Sequence, residues 1–224
     1  MDAQRVDVLS EHAWIEHATT FVGEIQDLLE NTLVGTTALE TFETSKETFR
    51  SWFKISKELA IGRSGSNRLH LAVDFRLRPS NSRSGVAVEK SSIKVEFKAT
   101  QRFVPIVRFE FDREARNKPP SHFQFHAESV PLGLLLARSG RYEAAAQQQN
   151  IHFPLGDPQF RVTVEDVVEL VVREFDAQPM PGWEERVEEG RRRFIEMQTE
   201  AVIRRDPAKA VEAVSYTHLT LPTT

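Results

Sequence analysis

The spacing of hydrophobic positions changes along this chain, and the change divides it into elements. From Glu11 to Asn31 the apolar residues Trp14, Ile15, Ala18, Phe21, Val22, Ile25, Leu28 and Leu29 recur at intervals of three and four, which places them on one face of an α-helix. A polar linker follows, and a second helix is expected from Thr44 to about Gly62. Thr44 and Glu47 have capping-box spacing ahead of Phe49, Trp52, Phe53, Ile55 and Leu59. Arg63 to Asn67 reads as a loop.

The period then becomes two. Leu69, Leu71, Val73, Phe75 and Leu77 alternate with His70, Ala72, Asp74, Arg76 and Arg78. The same alternation recurs over Ile93–Ala99, Phe103–Asp112 and His122–Glu128. Each run predicts a strand with one apolar face. Connections rich in Pro, Asn and Gly favour an antiparallel meander, because sequential strands usually lie side by side. A short helix is expected over Pro131–Ala137, a polar and mobile stretch over Arg141–Asn150, and a tight hairpin over Ile151–Arg161. Thr163 would cap a helix carrying Val164, Val167, Val168, Leu170, Val171 and Val172. A long charged helix is expected over Trp183–Arg205, and another from Pro207, with Asp206 as its cap.

The expected class is therefore α+β. A four-stranded antiparallel meander carries N-terminal helices on its apolar face, and a helical extension follows. The corresponding parts are a helical pair over 1–62, a sheet core with a short helix and hairpin over 63–162, and C-terminal helices over 163–213. Residues 214–224 stand apart. In one frame the transposon-type adapter GTC TCT TAT ACA CAT CTG ACG CTG CCG ACG A encodes Val214 to Thr223 residue for residue. The natural chain is thus expected to be interrupted near Ala213. A genuine short strand is the alternative, given the β propensity of Val, Tyr and Thr.

Composition narrows the function classes. The chain has 224 residues, 40% of them hydrophobic and 28% charged, with a net charge of −4. That balance exerts no bulk attraction on nucleic acid. It has no cysteine, which removes disulfides and thiolate metal sites and suits a cytoplasmic setting. No apolar run approaches the length of a membrane span, and no cofactor motif is present.

Candidate chemistry lies on the polar face of the expected sheet. Arg108, Glu110, His122 and His126 combine a cation, a carboxylate and two imidazoles, the materials of general acid–base catalysis. A hairpin joining the last two strands would set His122 opposite Glu110 or a neighbour of it. Zinc would not suit His122 and His126 in a strand. Four residues there span about 13 Å, whereas zinc holds imidazole nitrogens at about 2 Å, so no metal is expected. His152 is explained equally well by a turn and by a site. The Arg191–Arg193 run is balanced by flanking glutamates and reads as a solvated helix face.

The runs Arg108-Phe-Glu-Phe-Asp112, His122-Phe-Gln-Phe-His126 and His152-Phe-Pro-Leu-Gly156 resemble a group of actinobacterial proteins of unassigned activity. The order of parts also resembles the small TumE-type toxins of toxin–antitoxin systems. Those toxins are shorter, carry an Arg-Tyr-Asp-Asn-like run, and lack the long terminal helices. The resemblance implies RNA as a target. Two functions follow as expectations. One is an interaction protein that takes a protein partner through the Trp183–Arg205 helix. The other is a metal-independent ribonuclease, with Glu110 or His122 as base, His126 as acid and Arg108 on the phosphorane.

Overall fold

The computed structural model describes residues 10–62, 66–80, 85–155 and 161–219. Its elements are α1 (Glu11–Thr32), β1 (Gly35–Ser45), β2 (Arg50–Ile61), β3 (Ser66–Pro79), β4 (Val86–Lys98), β5 (Phe103–Asp112), β6 (Ser121–Phe125), α2 (Val130–Arg138), α3 (Tyr142–Ala146), β7 (Phe153–Pro154), α4 (Val164–Phe175), α5 (Trp183–Arg205) and α6 (Pro207–Leu219). The class is α+β with an antiparallel sheet. The sheet has seven strands in the order β1 to β7, each hydrogen-bonded to the next, and not the four expected. The four expected strands do lie side by side, as β3 to β6.

Of the three further strands, β7 falls in the expected hairpin after β6, and the other two arise before residue 62. The expected second helix is strand: Thr44 and Ser45 close β1 and residues 50–61 form β2. From Arg50 to Leu59 burial alternates, with Ser51, Phe53, Ile55, Lys57 and Leu59 facing inward. A lysine in an inward slot hides this period of two from a reading of hydrophobicity. Thr44 caps no helix. Its hydroxyl pairs with Ser51 Oγ at 3.0 Å across the β1–β2 ladder, and Phe49 turns the chain with a φ of 48°.

Helix α1 begins at Ser10, whose Oγ accepts from the Ala13 amide at 3.1 Å. Its apolar stripe packs on the inward face of the strands. The Phe21 ring stands edge-on to Phe53 and Phe75, which stack on each other at 5.3 Å. Thr163 caps α4 in a capping box with Asp166, and Val164, Val167, Val168 and Val171 enter the same core. After α4, Gln178 donates to the Ala60 carbonyl, Met180 to that of Thr32, and Val34 to that of Gln178. This segment ties the end of α1 to the β1–β2 edge. Gly35 starts β1 with a φ of 142°, and a Cβ there would come within 1.8 Å of the Glu58 carbonyl oxygen. Only glycine fits that approach.

β6 ends at Phe125, short of the expected Glu128, and Arg141–Asn150 is ordered as α3 and a 3-10 turn. β7 pairs with β6, while residues 156–160 of the expected hairpin lie outside the described residues. The chain divides into two compact units, Met1–Val187 and Glu188–Thr224. The expected boundary at 162 therefore falls inside the first unit, because α4 completes its core. In the second unit α6 is helical through Leu219, so a C-terminal strand is not observed there; residues 220–224 lie outside the described residues. Among the described residues no helix is long and apolar enough to cross a membrane.

Candidate functional site

The outward face of the sheet carries the polar residues in cross-strand rows, set by the register. One row joins Lys54, Asp74, Ser92, Glu110 and His122. The next joins Ser56, Ala72, Lys94, Arg108 and Gln124. Of the four candidate residues, Arg108, Glu110 and His122 come together. His122 is the Cα partner of Glu110, and its Nε2 lies 3.0 Å from Glu110 Oε2. Arg108 Nη1 reaches Glu110 Oε1 at 3.5 Å. His126 follows the end of β6 and lies near enough to Arg108 to feel its charge.

The hydrogen bonding of His122 is complete. The ring is fully buried, and Nδ1 donates to the Pro119 carbonyl at 2.8 Å. That carbonyl can only accept, so Nδ1 carries a hydrogen. Glu110 Oε2 also receives Lys118 Nζ at 2.9 Å. Burial works to raise the Glu110 pKa, but the Lys118 hydrogen bond and charge, with Arg108 and His122, hold it below the usual carboxylate value. With Glu110 Oε2 facing Nε2 and the Pro119 carbonyl facing Nδ1, both ring nitrogens of His122 are engaged. His152 packs edge-on against it, with ring centroids 4.6 Å apart. The pKa of His152 is lowered by burial first and by His122's charge second. Gln124 Nε2 lies 3.3 Å from His152 Nε2, a contact that suits a neutral ring accepting from the amide.

A similar pair sits two rows along, where His70 Nδ1 is 2.9 Å from Glu96 Oε2 and Phe103 stacks on the His70 ring at 4.0 Å. Asp112 receives Lys90 at 2.9 Å. Despite desolvation, its pKa stays below the usual value because of Lys90 and the Glu114 amide. Trp52 Nε1 donates to Asp74 at 2.9 Å. Asp74, Arg76, Lys90, Ser92, Glu110, Asp112 and Lys118 line a shallow depression of about 210 Å³. Sequence reasoning missed Lys118, because it lies in a loop with no period. It also missed Trp52, because its segment read as helix.

The His126 pKa is lowered by burial and then by Arg108, so its ring favours the neutral form. Among the described residues no group of three or more His, Asp or Glu is placed to hold a metal ion. The chain matches no family model, no curated protein and no solved structure.

Proposed function

We propose that this chain is a cytoplasmic interaction protein that binds a protein partner through the C-terminal part of α5. The observation that carries this reading is the exposure of apolar side chains there. Ile195, Val202 and Ile203 are 62%, 48% and 47% exposed and share one stripe by their helical spacing. Beside the stripe runs a ladder of ion pairs, Arg192 with Glu189 and Glu196, and Arg204 with Glu200. Such a helix is solvated along its charged side and offers its apolar side to a groove. The polar sheet face supports the same reading by contrast. A general base needs a free lone pair, and both His122 nitrogens are engaged. A general acid needs an ionised imidazole, which burial and Arg108 disfavour at His126.

The test compares the wild-type chain with an Ile195→Glu, Val202→Glu double variant, using affinity capture from native cells and native mass spectrometry. One partner held at fixed stoichiometry by the wild type and lost by the variant, with unchanged thermal unfolding, is the expected result. Equal capture by both chains would overturn the reading. So would RNA cleavage by the purified wild type that disappears when Arg108, His122 and His126 are all replaced by Ala.

A further inference from the structure

Among the described residues the polar face also holds a positive charge, Lys94, that no carboxylate pairs with, beside an Arg108 whose one ion pair, with Glu110, is long. Lys94 and Arg108 are Cα partners on β4 and β5, and like charges directly opposite each other destabilise a sheet. Lys94 has no hydrogen bond or ion pair among the described residues. The nearby carboxylates are engaged elsewhere: Glu96 by His70, and Glu110 by Lys118 and His122, with Arg108 only at 3.5 Å. Around this pair lie Ser92 Oγ, Arg108 Nε and His126 Nε2, each buried with no hydrogen-bond partner among the described residues. Buried donors without acceptors are costly, and a cluster of them calls for an explanation. All three sit at or beside the same two rows: Ser92 precedes Lys94 by two residues on the same face, and His126 lies next to Arg108.

We propose that Lys94 and Arg108, flanked by Ser92 and His126, bind the phosphate group of a small phosphate monoester. A phosphate dianion matches two cations and offers several oxygens, enough for an ammonium, a guanidinium edge, a hydroxyl and an imidazole N–H together. A monocarboxylate would leave one cation unmatched. The adjoining depression of about 210 Å³ begins at Ser92 and includes Asp74 and Glu110. Its carboxylates, Asp74, Glu110 and Asp112, stand beside the cations Arg76, Lys90 and Lys118, so the charges offset one another and the lining offers both acceptors and donors to hydroxyls. The remainder of the ligand is therefore short and hydroxyl-bearing, a polyol phosphate.

The test uses the full chain, with thermal unfolding, calorimetry and histidine NMR signals followed against inorganic phosphate, glycerol 3-phosphate, acetate and a short single-stranded RNA. Inorganic phosphate should raise the unfolding temperature, since it binds only the folded state, and should move the His126 ring signals. Glycerol 3-phosphate should bind more tightly than phosphate, and acetate should do neither. Lys94→Ala should weaken phosphate binding about tenfold or more, the loss of one charge-assisted hydrogen bond, while Arg204→Ala should bind as the wild type does. Without phosphate, Lys94→Ala should unfold at a higher temperature than the wild type, because the like-charge pair is gone. A Lys94→Ala chain that is less stable, or that binds phosphate equally well, overturns the proposal. So does a wild-type response that chloride reproduces at equal ionic strength. RNA binding that is lost in Lys94→Ala, with no response to the small phosphates, would replace the proposed ligand class with a polymer.

Discussion

On β3, Leu71, Val73 and Phe75 are buried in the core with α1 and α4, while Asp74 and Arg76, their chain neighbours, face the other way. The two faces of this sheet are one residue apart in sequence and differ in what holds them. The inward face is a continuous apolar cluster with stacked rings, where each side chain contributes through area removed from water. The outward face is a set of discrete pairs, such as His122 with Glu110 and Lys90 with Asp112. There each contribution depends on geometry and on protonation. Stability is therefore expected to concentrate on one face, and pH sensitivity and ligand recognition on the other.

The largest effect should come from the inward face. Phe53→Ala removes the ring that stacks on Phe75 and meets Phe21, and should lower unfolding stability by about 3–5 kcal/mol, read from urea titration. A loss no greater than that of an outward-face variant would break the comparison.

Next comes Glu110→Gln, which takes the charged acceptor away from His122 and Lys118. We expect a loss of about 2 kcal/mol at neutral pH. The Glu110 pKa is lower in the folded chain, so its contribution is fully present above the unfolded value of about 4.3. It disappears as pH falls through the folded value. Acid unfolding of Glu110→Gln should accordingly be shallower than that of the wild type. Identical acid limbs would show that Glu110 is not the group responsible.

A smaller effect sharpens the comparison at its exception. Lys57 lies on the inward face with its Nζ donating to the Gly35 carbonyl at 3.2 Å and to Thr37 Oγ1 at 2.9 Å. Burial lowers its pKa, against a raising effect of Glu30. Between the folded value and the unfolded value of about 10.4, the unfolded chain binds more protons, so stability should rise with pH there. Lys57→Met should remove that rise and change neutral-pH stability by about 1 kcal/mol or less. Parallel pH profiles for the two chains would show that the ammonium is not held in its buried position. The smallest effect is expected at Arg204→Ala in the second unit, where an exposed i,i+4 pair with Glu200 should leave the denaturation midpoint unchanged within error.

The sequence by itself determined those elements whose period is uninterrupted. α1, α4, β3, β5 and the second half of β4 were legible because their apolar residues fall at one spacing, α5 was legible as a charged run after the Pro179–Gly182 break, and a hairpin set His122 opposite Glu110 or a neighbour of it. β1 and β2 were not legible. Lys57 occupies a core slot, and Trp52 and Phe49 add apolar residues off the inward row, which imitates a helix. Only the tertiary structure decided that a lysine could be buried there, because its acceptors, Gly35 and Thr37, belong to a neighbouring strand. Only the tertiary structure, likewise, decided that both His122 nitrogens are occupied and that Lys94 faces Arg108 with no ion pair of its own among the described residues. Charge balance on a sheet face depends on which side chains the register brings opposite each other. That is a relation between distant segments, and no local period encodes it.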